Sequence, residues 1–230
     1  LELLDRTAVP VLGLEHLWLG QRGFAFALMG RFDDTERAIA RSRALPASDL
    51  VAPAVSWIPT AMMLIASGRG ELASLNVEMR GILEHATSLR HRPMQRSAAT
   101  MLGLCLVLQG QVTEAIELLI IGTDEHNCPD HQGTIYAAFG ALAWAYALAG
   151  DTASAQSTLA EADHEGRTAA RLCYPLVTLG NAATAHAQGL HRQSQDVLRA
   201  GLTHCHEFGS HYFELFLALE ACHIGGAGLA

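Results

Sequence analysis

Twelve histidines and five cysteines are the residues of this chain most able to do chemistry. Neutral imidazole and thiolate are the ligands zinc prefers. The densest group is Asp124-Glu125-His126-Asn127-Cys128-Pro129-Asp130-His131, and a second is His204-Cys205-His206 with His211 close by. Structural zinc sites take two well-separated ligand pairs, which neither group offers. His204 and His206 stand two residues apart, so on a helix they point to different sides. These histidines therefore read as polar residues of joints between elements. A helical domain with a histidine-based metal site is kept as a second alternative, and the primary reading has no metal and no cofactor. The cysteines Cys105, Cys128, Cys173, Cys205 and Cys222 are odd in number, irregular in spacing and without a CxxC pair. That usage fits reduced, packed thiols in a cytoplasmic protein.

Other chemistries are excluded by what the chain lacks. All 15 basic residues are Arg, and there is no Lys. A Walker A loop needs a Lys, and so does Schiff-base chemistry, so neither is present. No GxSxG occurs, and no strand followed by a glycine-rich loop is visible. The chain is expected not to be an enzyme. Its formal charge of −8 and a pI near 5.8, with no dense basic run, argue against direct nucleic-acid contact by these residues. Arg22, Arg167, Arg171 and Arg192 are candidates for contacting an anion, but the nearby Asp163 and Glu165 point to ordinary surface ion pairs. Leu1 to Gly20 show no basic segment followed by an apolar core, so no signal peptide is read.

Any site must be positioned by a repeating framework. Glycines that close an apolar run and open a charged one stand at 30, 70, 110, 150 and 189, at intervals of 40, 40, 40 and 39. Gln132 to Ala149 carries no Asp, Glu or Arg, whereas Asp151, Glu161, Asp163 and Glu165 follow Gly150. The segments are rich in Ala, Leu, Met, Gln and Glu, good helix formers, with apolar residues three or four apart as in Ala115, Ile116, Leu119 and Ile120. Each unit is thus a helix pair: an apolar helix A, a glycine turn and an amphipathic helix B. Pro46, Pro93 and Pro129 mark joints between units. The uncharged A segments are too short, too polar and too interrupted to span a membrane, for which ~20 strongly apolar residues are needed. They read as helices buried between neighbours on most sides.

The pairs resemble the tetratricopeptide (TPR) family, which places small residues seven before its turn glycine and five and twelve after it. Ala143, Ala155 and Ala162 do so around Gly150, and Gly103, Ala115 and Gly122 around Gly110. Ala182, Ser194 and Gly201 follow around Gly189, and Gly23, Thr35 and Ser42 around Gly30, while Met63, Leu75 and Ile82 depart from the pattern around Gly70. The resemblance implies an all-α, TPR-like α-solenoid of about five to six antiparallel helix pairs with a ~40-residue period, forming a single domain over residues 1–230. It also implies that the A helices line a concave groove. Distance from the turn glycine puts Phe24, Trp57, Thr60, Thr100, Leu104, Trp144 and His186 on that lining, beside small neighbours. Large rings among small residues suit a small effector or a peptide, although an aromatic stripe at helical spacing also serves as plain core.

Ala141 to Asp151, read as Ala-Leu-Ala-Trp-Ala-Tyr-Ala-Leu-Ala-Gly-Asp, and the ending with His211-Tyr212-Phe213-Glu214-Leu215 resemble the helical repeat region of large ATP-binding, LuxR-type (MalT-like) bacterial transcriptional regulators. That resemblance implies a non-catalytic domain sensing a ligand or partner within such a regulator. A general TPR protein-protein interaction scaffold is the alternative. A chain starting at Leu1, with a sixth turn due near 229, reads as a piece of a longer array, and its apolar ends make a homodimer conceivable.

Overall fold

The three-dimensional structure, a computed structural model, describes residues 15–45, 57–124, 134–165 and 174–224. Among the described residues there are eleven helices and no strand. They are α1 (Glu15–Leu28), α2 (Phe32–Ala44), α3 (Trp57–Arg69), α4 (Leu72–Ser88), α5 (Arg92–Leu108), α6 (Val112–Gly122), α7 (Thr134–Leu148), α8 (Thr152–Glu165), α9 (Tyr174–Ala187), α10 (His191–Glu207) and α11 (His211–His223). Five A/B pairs run from α1/α2 to α9/α10, and α11 begins a sixth unit. Pro46 and Pro129, residues 125–131 of the histidine-rich joint, Cys173, Arg167, Arg171 and the turn expected near 229 lie outside the described residues, as do the side chains of Asp163 and Glu165.

All five turn glycines adopt positive φ, between 71° and 80°. At each, the next amide reaches back to the carbonyl five residues earlier, as in Asp151 N to Tyr146 O at 2.9 Å and Gln111 N to Leu106 O at 2.9 Å. This is the Schellman cap, which satisfies carbonyls a helix end leaves open. The same cap ends α4 and α10, with Arg90 (φ 52°) and Gly209 (φ 64°) in the left-handed position. Pro93 sits in the first turn of α5, and Pro59 and Pro175 near the starts of α3 and α9, so these prolines begin A helices, where their missing N–H is not needed.

The small residues work as close-approach points. A Cβ built on Gly103 would lie 2.7 Å from Leu119 Cγ, and Gly23 faces Thr35, Ala38 and Ile39. Ala143, Ala155, Ala162 and Ala182 are fully buried. Ser194 donates from its hydroxyl to Ala182 O at 2.7 Å, which ties α10 to α9. Where Met63, Leu75 and Ile82 replace small residues, α3 and α4 touch less extensively than the helices of any other pair. A cleft of about 350 Å³ opens there among Ile39 and Arg43 of α2, Met62 and Ile65 of α3, and Leu75 and Glu78 of α4.

The B helices form an outer layer stitched by exposed ion pairs. Arg43 of α2 pairs with Glu78 of α4, and Arg80 of α4 pairs with Glu114 of α6 at 2.6 Å. Each contributes ~0–1 kcal/mol at such exposure. The A helices form the inner layer. Each touches the next, and α11 also touches α1, so the inner layer closes into a ring.

Candidate functional site: the inner ring of A helices

One register faces the ring. Phe24, Leu64, Leu104 and Trp144 all stand six residues before their turn glycine. They are 8%, 0%, 2% and 5% exposed and belong to one contiguous core. Of these the mapping from the glycines named Phe24, Leu104 and Trp144 but not Leu64; the four share one surface, which is filled by the protein's own side chains. Phe24 packs on Trp57 with ring centroids 4.8 Å apart. Trp144 meets Phe216 of α11 edge-on at 5.8 Å, and Phe216 stacks with Tyr212 at 6.1 Å. Such ring pairs contribute ~0.5–1.5 kcal/mol beyond their buried area.

The structure separates the remaining members of the set. Thr60 is half-buried on α3. Thr100 is fully buried, donates to Arg96 O at 2.9 Å and packs against Gly122, so it faces helix B of its own pair. His186 lies at the end of α9, where its Nδ1 is 3.1 Å from Nδ1 of His191 across the turn at Gly189. It is therefore a rim residue.

Two aromatic ring residues, Tyr212 and Phe216, were not assigned to this surface from the sequence. The Tyr212 phenol meets the Ser67 hydroxyl, which also donates to Met63 O at 2.8 Å. Burial, partly offset by that hydrogen bond, pushes the Tyr212 pKa up to about 12. A signal existed: Phe216 stands 13 before position 229, as Trp57 stands 13 before Gly70. The ring is otherwise apolar. The Trp144 indole N–H is buried and has no acceptor.

Several of the described thiols and histidines have structural roles. Burial pushes the Cys105 thiol up to about 12 and the Cys205 thiol up to about 11, the latter with help from the charge of Glu214. His204 lies between the rings of Tyr174 and Phe208, at 4.4 and 4.5 Å. His206 and His211 share the Glu214 carboxylate, at 3.1 and 3.4 Å, and hold it below the usual carboxylate range. Among the described residues no group of three or more His, Cys, Asp or Glu is placed to hold a metal ion. Arg22 lies over the rings of Trp18 and Phe26, at 4.9 and 5.2 Å, and Arg192 is exposed at the start of α10. No helix among the described residues is long and apolar enough to cross a membrane.

No protein-family model matches the chain, and no curated protein matches it. Two solved structures do: a kinesin light chain-like protein of Podosopora anserina with nearly identical TPR-like repeats, and a single-residue variant of it. Each is 15% identical, and the matches cover 81% of this chain and 92% of theirs, with TM-scores of 0.51 and 0.52. At that identity the likeness is one of fold: the chain is an all-α, TPR-like repeat solenoid.

Proposed function

We propose that the chain is a non-catalytic helical-repeat scaffold that binds a protein partner. The observation that carries this reading is what the packing leaves in water. The inner ring is filled by its own aromatics, whereas Val77, Leu89, Phe208, Leu215 and Leu219 are 51% to 74% exposed on the outer layer and its edge. Exposed apolar surface of this kind is what partner surfaces bury. The high pKa values of the two buried thiols support the absence of a nucleophilic role. The test is capture on immobilised protein followed by crosslinking. The expected result is one discrete protein bound in stoichiometric amount, crosslinked at these apolar surfaces and weakened ~tenfold by acidic substitutions there, about 1.4 kcal/mol. A chain that captures no protein, or whose capture ignores every such substitution, ends the reading.

A peptide or small effector at the inner ring is a second form of it, favoured by the unpaired Trp144 N–H. A thermal-shift screen of metabolites and peptides, repeated on Trp144→Phe, tests this form; hits that the substitution leaves unchanged count against it. Placement inside a LuxR-type regulator has the sequence resemblance as its sole support. Sequencing the gene on both sides of these 230 residues tests it: an NTPase module before them and a helix-turn-helix after them is the expected result.

A further inference from the structure

In the Gly110 pair, helix A shows its B partner the residues seven and ten before the turn, and around Gly30 and Gly189 the residue seven before does the same. Gly103 is approached by Ala115 and Leu119, and Thr100 packs on Gly122. The residues seven before, Gly23, Met63, Gly103, Ala143 and Ala182, are all buried. The register of α11 is fixed by its neighbour. A Cβ on Gly201 would meet Leu217 Cδ1 at 3.0 Å, as one on Gly122 would meet Ala138 Cβ at 3.1 Å. Ala138 stands 12 before Gly150, so Leu217 stands 12 before position 229. Counted in that frame, the B-facing residues of α11 are Leu219 and Cys222, with Leu215 one turn earlier. Leu215 is 64% exposed and Leu219 52%, and Cys222 is exposed too, while Phe213, Leu217 and Ala221 on the other faces are buried.

The chain also displays what covers such a face. Three of the B helices, α6, α8 and α10, carry a small residue, a large apolar one four later and a small one three after that: Ala115, Leu119 and Gly122; Ala155, Leu159 and Ala162; Ser194, Leu198 and Gly201. The edge of α11 continues this interface without a break. We propose that the Leu215–Leu219–Cys222 face of α11 docks an amphipathic α-helix with that small-large-small pattern, antiparallel to α11, as a B helix packs on its A helix. The inference rests on the scaffold reading and names the class of partner for one surface. Small residues let the backbones approach, and the central large side chain would cover Leu219.

The test uses the whole chain and a fluorescent, hydrocarbon-stapled peptide with the α8 sequence Thr152–Glu165, its helicity checked by circular dichroism. The expected result is saturable binding that falls at least ~tenfold on Leu219→Asp, about 1.4 kcal/mol. Binding should fall similarly when the peptide carries Ala155→Leu and Ala162→Leu. A peptide carrying Ala155→Cys should form a disulfide with Cys222 that Cys222→Ser abolishes. No binding, or binding that Leu219→Asp leaves unchanged, overturns the proposal. So does a dimer that Leu219→Asp dissociates, which would give the face to a second copy. Protein capture through Val77 or Leu89 that persists while the helix is ignored sinks this inference and leaves the scaffold reading standing.

Discussion

The hydroxyl of Ser67 on α3 meets the phenol of Tyr212 on α11, 145 positions further along the chain. The contact joins the second unit to the sixth across the inner ring. Tyr212→Phe removes the hydroxyl and keeps the ring, at a cost of about 1 kcal/mol. Urea unfolding measures it, and the accompanying Ser67→Ala should add little once the phenol is gone. Because the folded pKa is raised from 10 to about 12, the neutral phenol is the form the fold prefers. Its contribution is complete below pH 10 and is lost as pH rises from there through 12. Absorbance at 295 nm should show one of the four tyrosines ionising late.

Arg90 holds the left-handed cap position that glycine holds at the ends of α1, α3, α5, α7, α9 and α10. A side chain with a Cβ is strained there by ~1 kcal/mol. Arg90→Gly is expected to raise stability by up to about 1 kcal/mol, less the added freedom of the unfolded chain. Gly150→Ala, at φ 80°, should lower it by about the same. Denaturant midpoints of the two variants should move in opposite directions.

Gly103 stands against Leu119 Cγ and the Ala115 carbonyl oxygen, 2.7 and 3.3 Å from where a Cβ would lie. Gly103→Ala should cost ~1–3 kcal/mol by overpacking, and Leu119→Ala in the same chain should recover part of the strain. By contrast, Gly81, with nothing within 4 Å, should accept Ala with a gain of up to about 1 kcal/mol from helix propensity.

Glu214 links α11 to α10 through His206 and also meets His211 of its own helix, and its carboxyl is held below the ordinary value of 4.5. A depressed folded pKa means the contribution is present above pH 4.5 and lost as pH falls through the lowered value. Glu214→Gln should therefore lower Tm at pH 6, with the difference from the parent shrinking as the pH falls below 4.5. A difference that grows on acidification would refute the clasp.

Much of the framework was legible because a solenoid writes itself locally. The turn glycines need positive φ at fixed intervals, and close helix crossings need small residues, so both leave marks at single positions such as Gly110 and Ala155. Arg90 and Gly209 left no such mark, since one is not glycine and the other breaks the interval of 40. The inner register was legible at Phe24, Leu104 and Trp144, because distance from the turn fixes the face. That the ring is filled was not, since it depends on α11 meeting α3 and α7, a relation between distant units that no local pattern encodes. Thr100 shows the limit of the mapping: it packs on Gly122 of its own helix B and not on the ring.

The contact of α11 with α1 has a consequence for how the molecule comes apart. An open stack of repeats frays from its ends, one unit at a time, because each unit leans only on its neighbours. Here α1 and α11 lean on each other, so neither of these helices is free to peel on its own. Unfolding should be all-or-none, with amides of α1 and α11 protected from hydrogen exchange nearly as long as those of α5. Folding should be slower than an open helical array of this length, since the seam closes only when the most distant parts of the chain have met.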